Sequence, residues 1–369
     1  MTKVDTAETT QAEETGSARQ PVAPNPGNRR ARVRRAVRRT LGSVARPEPW
    51  KRGRVVAALA LLLGLIMLLH AQIPDLAGLG SLVETFLPWF GLLGIPVLFV
   101  AALWRRSLTA VAALLIPAVV WTSLFGGLFT GTSHEGTSDL TVVSHNVRAD
   151  NPDPAGTADD LAASGADLLA LVEITQQDKG TYEKGLAQEY PYHTVINTVG
   201  LWSKLPLSDT QPVDTAMDAG PLGETKSAEE KQESARALRT TVATDAGPVE
   251  VYVAHLGSVR VHADGGFTTG QRDDGAQALA DAVAADEHER VMVLGDMNGT
   301  TDDRAFDALT SEMDSAQEEA GDGFGFSYPA AFPVVRIDQI LVRGMETDSS
   351  WVLPATASDH LPVAAGVSW

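Results

Sequence analysis

Seven stations in the C-terminal two-thirds of the chain end or interrupt an apolar run with a side chain able to bind a metal, hold phosphate or move a proton. They are Asn146, Glu173, His255, Asp296, Asn298, Asp338 and the pair Asp359-His360. In VMVLGDMNGT, residues 291–300, four apolar residues stop at Gly295, Asp296 and Asn298. An apolar run bounded by glycines reads as a buried strand, and its end can present a polar pair at the edge of a sheet. Asp, Asn and Gly also form turns at any strand end. Taken alone, the stretch leaves turn and site equally open. Seven such stations in one region point to a single polar site at one edge of a sandwich.

The elements that must position these residues alternate between strand and helix from Leu140 onward. LTVVSHNV reads as a strand ending in polar residues. TADDLAASGADLLALVEI reads as a helix broken near Gly165 that leads into the strand DLLALVEI. GLWSKLPL reads as a short strand and turn, and LRTTVAT and VEVYVAHL as two strands joined by DAGP. GQRDDGAQALADAVAADEH carries Ala and Leu at helical spacing and runs into VMVLGDMN, and RIDQILV and PVAAGVS close the chain as strands. Residues 209–235, rich in Asp, Gly, Glu, Lys and Ser, predict an exposed loop, and no internal repeat is present. Strand pairs combined with helix-linked strands imply two mixed sheets packed face to face, with helices outside.

Before this region lie three apolar stretches, Val55 to His70, Leu82 to Trp104 and Leu108 to Phe129. Each approaches the roughly 20 residues needed to cross a bilayer. The first follows about fifty polar residues without a cleavage pattern, so it predicts a retained anchor and not a signal peptide. Residues 1–54 predict a disordered basic segment, and RRARVRRAVRR, Arg29 to Arg39, suits the cytoplasmic face and anionic headgroups. With that cluster and Arg105-Arg106 both inside, the third span delivers everything after about residue 130 to the exterior. Glu84, Pro88 and Pro96 either face protein or a cavity, or belong to helices that only anchor.

Of the chain's 29 basic and 47 acidic side chains, residues 1–106 hold 15 and 7, which leaves 14 and 40 for the remainder. So acidic a surface argues against long nucleic acid, whose phosphates require Lys and Arg contacts. A compact phosphate held through a metal is compatible with it. The absence of cysteine fits an oxidising exterior without a disulfide framework.

The ordered series HNV, LLALVEI, VAHLGS, VLGDMN, RIDQILV and SDHLPV resembles the endonuclease/exonuclease/phosphatase superfamily over residues 138–369. The spans ahead of an outward-facing domain are similar to membrane-bound actinobacterial members linked to glycopeptide (teicoplanin) resistance. The resemblance implies an α+β, DNase I-like four-layer α/β/β/α sandwich and divalent-metal-dependent cleavage of a phosphate ester or anhydride. On this reading Glu173 and Asp359 are hard oxygen ligands for Mg²⁺ or Mn²⁺, and Asn146 adds a neutral oxygen. Asp296 orients or deprotonates the attacking water, and Asn298 holds it or a phosphate oxygen. Asp338 fixes His360 as a cation that contacts the scissile phosphate, while His255 binds phosphate or protonates the leaving oxygen. Arg148, Arg260 and Arg272 are candidates for phosphate contacts, with a solvated surface role equally open.

The expectation is a three-span, membrane-anchored phosphatase or phosphodiesterase whose domain, residues 138–369, acts outside the cell. Its partners would be membrane lipids, and its substrate a lipid-linked phosphate or pyrophosphate of a polyprenyl carrier. A surface nuclease and a non-catalytic module that binds lipid headgroups are the alternatives.

Overall fold

The computed structural model describes residues 52–129, 138–215, 235–262 and 266–369, with backbone alone at 260–262. The predicted disordered segment up to residue 51, and 216–234 of the predicted loop, lie outside the described residues.

Strands run Leu140–Asn146 (β1), Leu168–Val172 (β2), Tyr192–Ile196 (β3), Val199–Ser203 (β4), Leu207–Pro212 (β5), Ala237–Thr244 (β6) and Gly247–His255 (β7). They continue with Arg260–His262 (β8), Gly266–Thr268 (β9), Val291–Asp296 (β10), Asp314–Ser315 (β11), Asp338–Arg343 (β12), Glu346–Val352 (β13) and Val363–Ser368 (β14). Two six-stranded sheets result, ordered β13-β14-β1-β2-β4-β3 and β11-β12-β10-β7-β6-β5. Both are mixed: β1 runs parallel to β2 and antiparallel to β14, and β10 runs parallel to β7 and antiparallel to β12. The start of the predicted loop is corrected, because Asp209–Pro212 belongs to β5, a bulged edge strand beside β6 whose mostly outward side chains hide the pattern.

Every residue of β2 is buried because the sheet is covered on both faces, which explains the unbroken apolar run LLALV. Leu168, Ala170 and Val172 turn inward against Val251, Val253, Met292, Leu294 and Ile340 of the other sheet. Leu169 and Leu171 turn outward beneath Leu161, Tyr182 and Leu186 of the helices Pro154–Ala162 and Lys179–Leu186. On the far side, helix Gly270–Ala284 buries Ala276, Leu279, Ala280 and Val283, spaced as one face of an α-helix, against Tyr252, Val291 and Val293. The layers are therefore helix, sheet, sheet, helix. Truncating a central residue such as Leu168 to Ala would cost about 2–5 kcal/mol.

Ahead of the sandwich, Leu87–Trp104 and Leu108–Phe129 are 18 and 22 residues long and apolar enough to cross a membrane. The first predicted span is shorter: helix Arg54–Leu68 has 15 residues. At 1.5 Å per residue it covers about 22 Å, less than a hydrocarbon core of about 30 Å. The second segment starts later than predicted, and Glu84 sits in the preceding helix Leu79–Thr85. Among the described residues, all the exposed large apolar side chains except Tyr192, Phe332, Trp351 and Trp369 lie in residues 55–129.

This helical region is fastened to the sandwich. Glu84 is fully buried and receives Arg304 through Nη2 at 2.6 Å and Nε at 3.0 Å. Trp89 Nε1 donates to the Val334 carbonyl at 2.7 Å and its ring stacks on Phe326. Phe324 inserts among Trp121, Phe125 and Phe129. Glu84 and the buried Pro88 thus face protein, whereas Pro96 is exposed.

Candidate active site

Strand register brings the predicted stations to one end of the sandwich. In the second sheet Asp296 is paired across β10 with His255 of β7 on one side and Asp338 of β12 on the other. In the first sheet Asn146 pairs with Val172, so Glu173 follows at the strand end. Val363 of β14 lies opposite Ser144 of β1, and the turn before it carries Asp359 and His360 to the same level. Gly295 permits the close approach: its φ is 145°, and a Cβ there would stand 1.8 Å from the Ala254 carbonyl oxygen. Glu173 and Asn298 adopt left-handed backbone, with φ of 65° and 50°. Conformations that disfavour side chains other than glycine collect at functional sites.

The side chains form one polar network. Asn146 Nδ2 donates to Glu173 Oε1 at 3.1 Å and to Asp296 Oδ2 at 2.9 Å, which links the two sheets. Glu173 Oε2 accepts from the Ala149 amide at 2.9 Å. Asp296 Oδ1 accepts from the Asn298 amide at 2.8 Å, and Asn298 Nδ2 donates to the Leu256 carbonyl. His360 Nδ1 lies 2.8 Å from Asp338 Oδ2, and its Nε2 is 3.9 Å from Asp296 Oδ2. His255 Nε2 stands 3.5 Å from Glu173 Oε1 and 3.9 Å from Asp296 Oδ2.

Burial and charge set the protonation states. Burial, together with the neighbouring Asp338 carboxylate, raises Asp296 to about 7. Burial opposes charge on His360, but the carboxylates of Asp338, Asp296 and Asp359 outweigh it and raise the imidazole to about 9. His255 goes the other way: burial, then the cations of Arg236 and His360, hold it well below its ordinary value and neutral. A neutral His255 can exchange hydrogen bonds with phosphate, but the expected protonation of a leaving oxygen would require a charged ring. One carboxyl poised near neutrality beside one imidazolium is an arrangement suited to proton transfer and to stabilising negative charge.

Glu173, Asp296, Asp338 and Asp359 are hard oxygen donors of the kind that suits Mg²⁺ or Mn²⁺. Glu173 and Asp296 both face the same Asn146 amide hydrogens, a point where a cation would be equally favoured, and the buried Asp338 Oδ1 has no hydrogen-bond partner. These residues fit a divalent ion. Asp296, Asp338 and His360 also bring potential ligand atoms within 4.8 Å of one another. His360 is a poor ligand, because its Nδ1 is committed to Asp338 and the charged ring offers no lone pair.

The arginines behave differently from the rest. Arg148 is half-exposed and paired with Asp150 through Nε at 2.6 Å and Nη2 at 3.0 Å. Arg272 is not brought to the site as a phosphate contact: it is buried, and its polar contacts are Asp273, Asp303 at 2.8 Å and Ser81 of the helical region at 3.1 Å. The side chain of Arg260 lies outside the described residues.

Four site neighbours escaped the sequence reading. Ser327 donates to Asp338 Oδ2 at 2.6 Å, the Tyr328 ring lies 4.6 Å from that of His360, and Ser358 accepts from the His360 amide. Arg236 Nη2 is 2.6 Å from His255 Nδ1. Only Arg236 was within reach of the sequence, since counting back along both strands from the DAGP turn sets it opposite His255. Ser327, Tyr328 and Ser358 arrive on irregular loops with no periodicity to read.

The Endonuclease/Exonuclease/phosphatase family model matches residues 143–360. No curated protein matches the chain. Among solved structures, a humanized TDP2 from D. rerio is 16% identical, covering 62% of this chain and 99% of its own, with a TM-score of 0.50. An endonuclease/exonuclease/phosphatase from Bacteroides vulgatus is 17% identical, covering 62% and 98%, with a TM-score of 0.49. A beta toxin variant from Staphylococcus aureus with bound magnesium ions is 18% identical, covering 62% and 99%, with a TM-score of 0.44. At these identities the likeness concerns the fold.

Proposed function

Because the chain belongs to the endonuclease/exonuclease/phosphatase family, whose members are metal-dependent phosphoester hydrolases, we propose that it is a membrane-anchored phosphatase or phosphodiesterase. It acts outside the cytoplasm on a lipid-linked phosphate or pyrophosphate. The observation that carries the chemistry is the position of Asp296, 3.9 Å from the charged His360 and joined to Glu173 through Asn146.

In this mechanism Glu173, Asp359 and Asn146 would hold a divalent ion, which when bound would polarise the phosphoryl oxygen. Asp296 accepts the proton of the attacking water, while Asn298 keeps its carboxylate in place through the backbone amide. The His360 imidazolium, held by Asp338, faces the negative charge that grows on the phosphoryl group. Neutral His255, backed by Arg236, hydrogen-bonds a phosphate oxygen. Arg148, once released from Asp150, reaches a distal phosphate.

The lipid substrate is supported by the helical region. Its two long apolar segments, its outward leucines and its buried attachment to the sandwich would hold the site close to a bilayer. With the basic clusters inside, and the shorter helix Arg54–Leu68 crossing through local thinning of the bilayer, the N-terminus is cytoplasmic and residues 138–369 face outward. The acidic surface of that part opposes a nuclease role.

The test is phosphate release, with Mg²⁺ and with chelator, from a polyprenyl pyrophosphate in detergent, a phospholipid, a simple diester and DNA. Metal-dependent turnover of a lipid substrate supports the reading. Robust DNA cleavage with no lipid turnover replaces it with a nuclease.

A further inference from the structure

Between the helical region and the sandwich lies a cavity of about 160 Å³. Pro88 and Phe125, near the ends of the two long apolar segments, line one side, and Phe324, Thr300, Arg336 and Gln339 line the other. It is separate from the cluster around Asp296, and nothing in the hydrolytic mechanism uses it.

Three of its buried polar side chains have unmet hydrogen-bonding capacity. Arg336 is 7% exposed; its Nη1 donates to the Gly325 carbonyl at 3.0 Å, while Nε and Nη2 have no partner. Thr300 Oγ1 and Gln339 Oε1 are likewise buried and unpartnered. Buried polar groups in folded proteins are nearly always hydrogen-bonded, to protein, ligand or ordered water, so three on one cavity mark a polar site that a ligand can complete. A guanidinium with Nε and Nη2 left to donate, beside a hydroxyl, suits a phosphate. Asp302 and Glu318 line the same cavity and supply acceptors for a cationic group. One cation and two carboxylates match a head group that carries both a phosphate and an amine better than an anionic one.

The walls and the position fix the rest of the ligand. Aromatic and aliphatic side chains on both sides suit an alkyl chain. The volume corresponds to about five waters at roughly 30 Å³ each, enough for a head group but not for a whole lipid. Pro88 begins one span-length segment and Phe125 lies near the end of the other, so the cavity stands at the depth of lipid head groups.

We propose that this cavity binds the head group of a zwitterionic amino-phospholipid, with its phosphate on Arg336, its amine toward Asp302 and Glu318, and its first chain carbons on Phe125 and Phe324. The proposal rests on the membrane-anchored reading above and is independent of the substrate.

The full chain in detergent would be titrated with short-chain phosphatidylethanolamine, phosphatidylglycerol and inorganic phosphate, and bound ligand counted by native mass spectrometry. One phosphatidylethanolamine per chain is expected, at least tenfold tighter than the other two, with at least tenfold loss in Arg336→Gln and Asp302→Asn. Thr300→Val, expected to lose a few-fold, and Asp302→Asn carry the test if Arg336→Gln does not fold. Equal binding by wild type and variants, equal affinity for phosphatidylglycerol, or equal affinity for free phosphate would overturn the site. Release of the protein from membranes by an alkaline wash would overturn the membrane-anchored reading itself. Retention in the membrane without Arg336-dependent binding would overturn only this site.

Discussion

His360 Nδ1 meets Asp338 Oδ2 at 2.8 Å inside the sandwich, so the imidazole is held charged and its free Nε2 is aimed toward Asp296. Ser327 donates to the same Asp338 oxygen and fixes the carboxylate from behind. The relation makes one residue depend on another: Asp338 acts through His360.

Asp338→Asn is expected to bring His360 down from about 9 toward its ordinary 6.5. Below 6.5 both proteins carry the imidazolium, so the rate penalty should be smallest there and widen as pH rises toward 9. The pair's contribution to stability follows the same sign, full below the unfolded value and lost as pH rises through about 9. Profiles of kcat against pH that superimpose for the two proteins would remove the proposed role.

For the metal, Glu173→Gln keeps the side-chain volume but removes an anionic ligand. It should fold normally, bind Mg²⁺ at least tenfold more weakly and lose turnover at limiting metal, as ligand loss usually does. Unchanged Mg²⁺ affinity by calorimetry would reassign the ion to other carboxylates.

Gly295→Ala places a Cβ 1.8 Å from the Ala254 carbonyl oxygen at a φ of 145°. The variant should be destabilised by about 2 kcal/mol or more, as expected of strain at a special backbone conformation, and should displace Asp296. A melting temperature equal to that of the wild type would show that the strands can part there without penalty.

The attachment of the helices to the sandwich makes a fourth prediction. Arg304→Gln leaves the buried Glu84 carboxylate without its cation, and breaking a buried pair costs about 3–5 kcal/mol, less here because Arg304 is 26% exposed. Adding Glu84→Gln should recover part of the loss. A double variant no more stable than Arg304→Gln would mean that the pair is not coupled.

The strands that could be read from the sequence are the inner ones. β14, β1, β2 and β4 in one sheet and β12, β10, β7 and β6 in the other are apolar or alternating runs, because neighbours and helices cover them. Of the six that escaped, β13, β3, β11 and β5 are the edges of the two large sheets, and β8 and β9 form a separate two-stranded sheet. Edge strands face solvent along one side and carry polar residues, as ETDSSWV and LSDTQP do. The site stations were legible because strand ends must hand polar groups to the sheet edge. Arg272 misled because its partner Ser81 lies 191 residues away, in a region whose docking no local pattern encodes.

The most direct test of the account is the turnover of His360→Ala on a polyprenyl pyrophosphate with saturating Mg²⁺ near pH 7, beside wild type of equal thermal stability. Loss of a charge partner in the transition state predicts a fall in kcat of roughly 10²-fold or more, with KM little changed. Wild-type turnover in the variant would contradict the central claim that the His360–Asp338 pair and Asp296 carry out the hydrolysis.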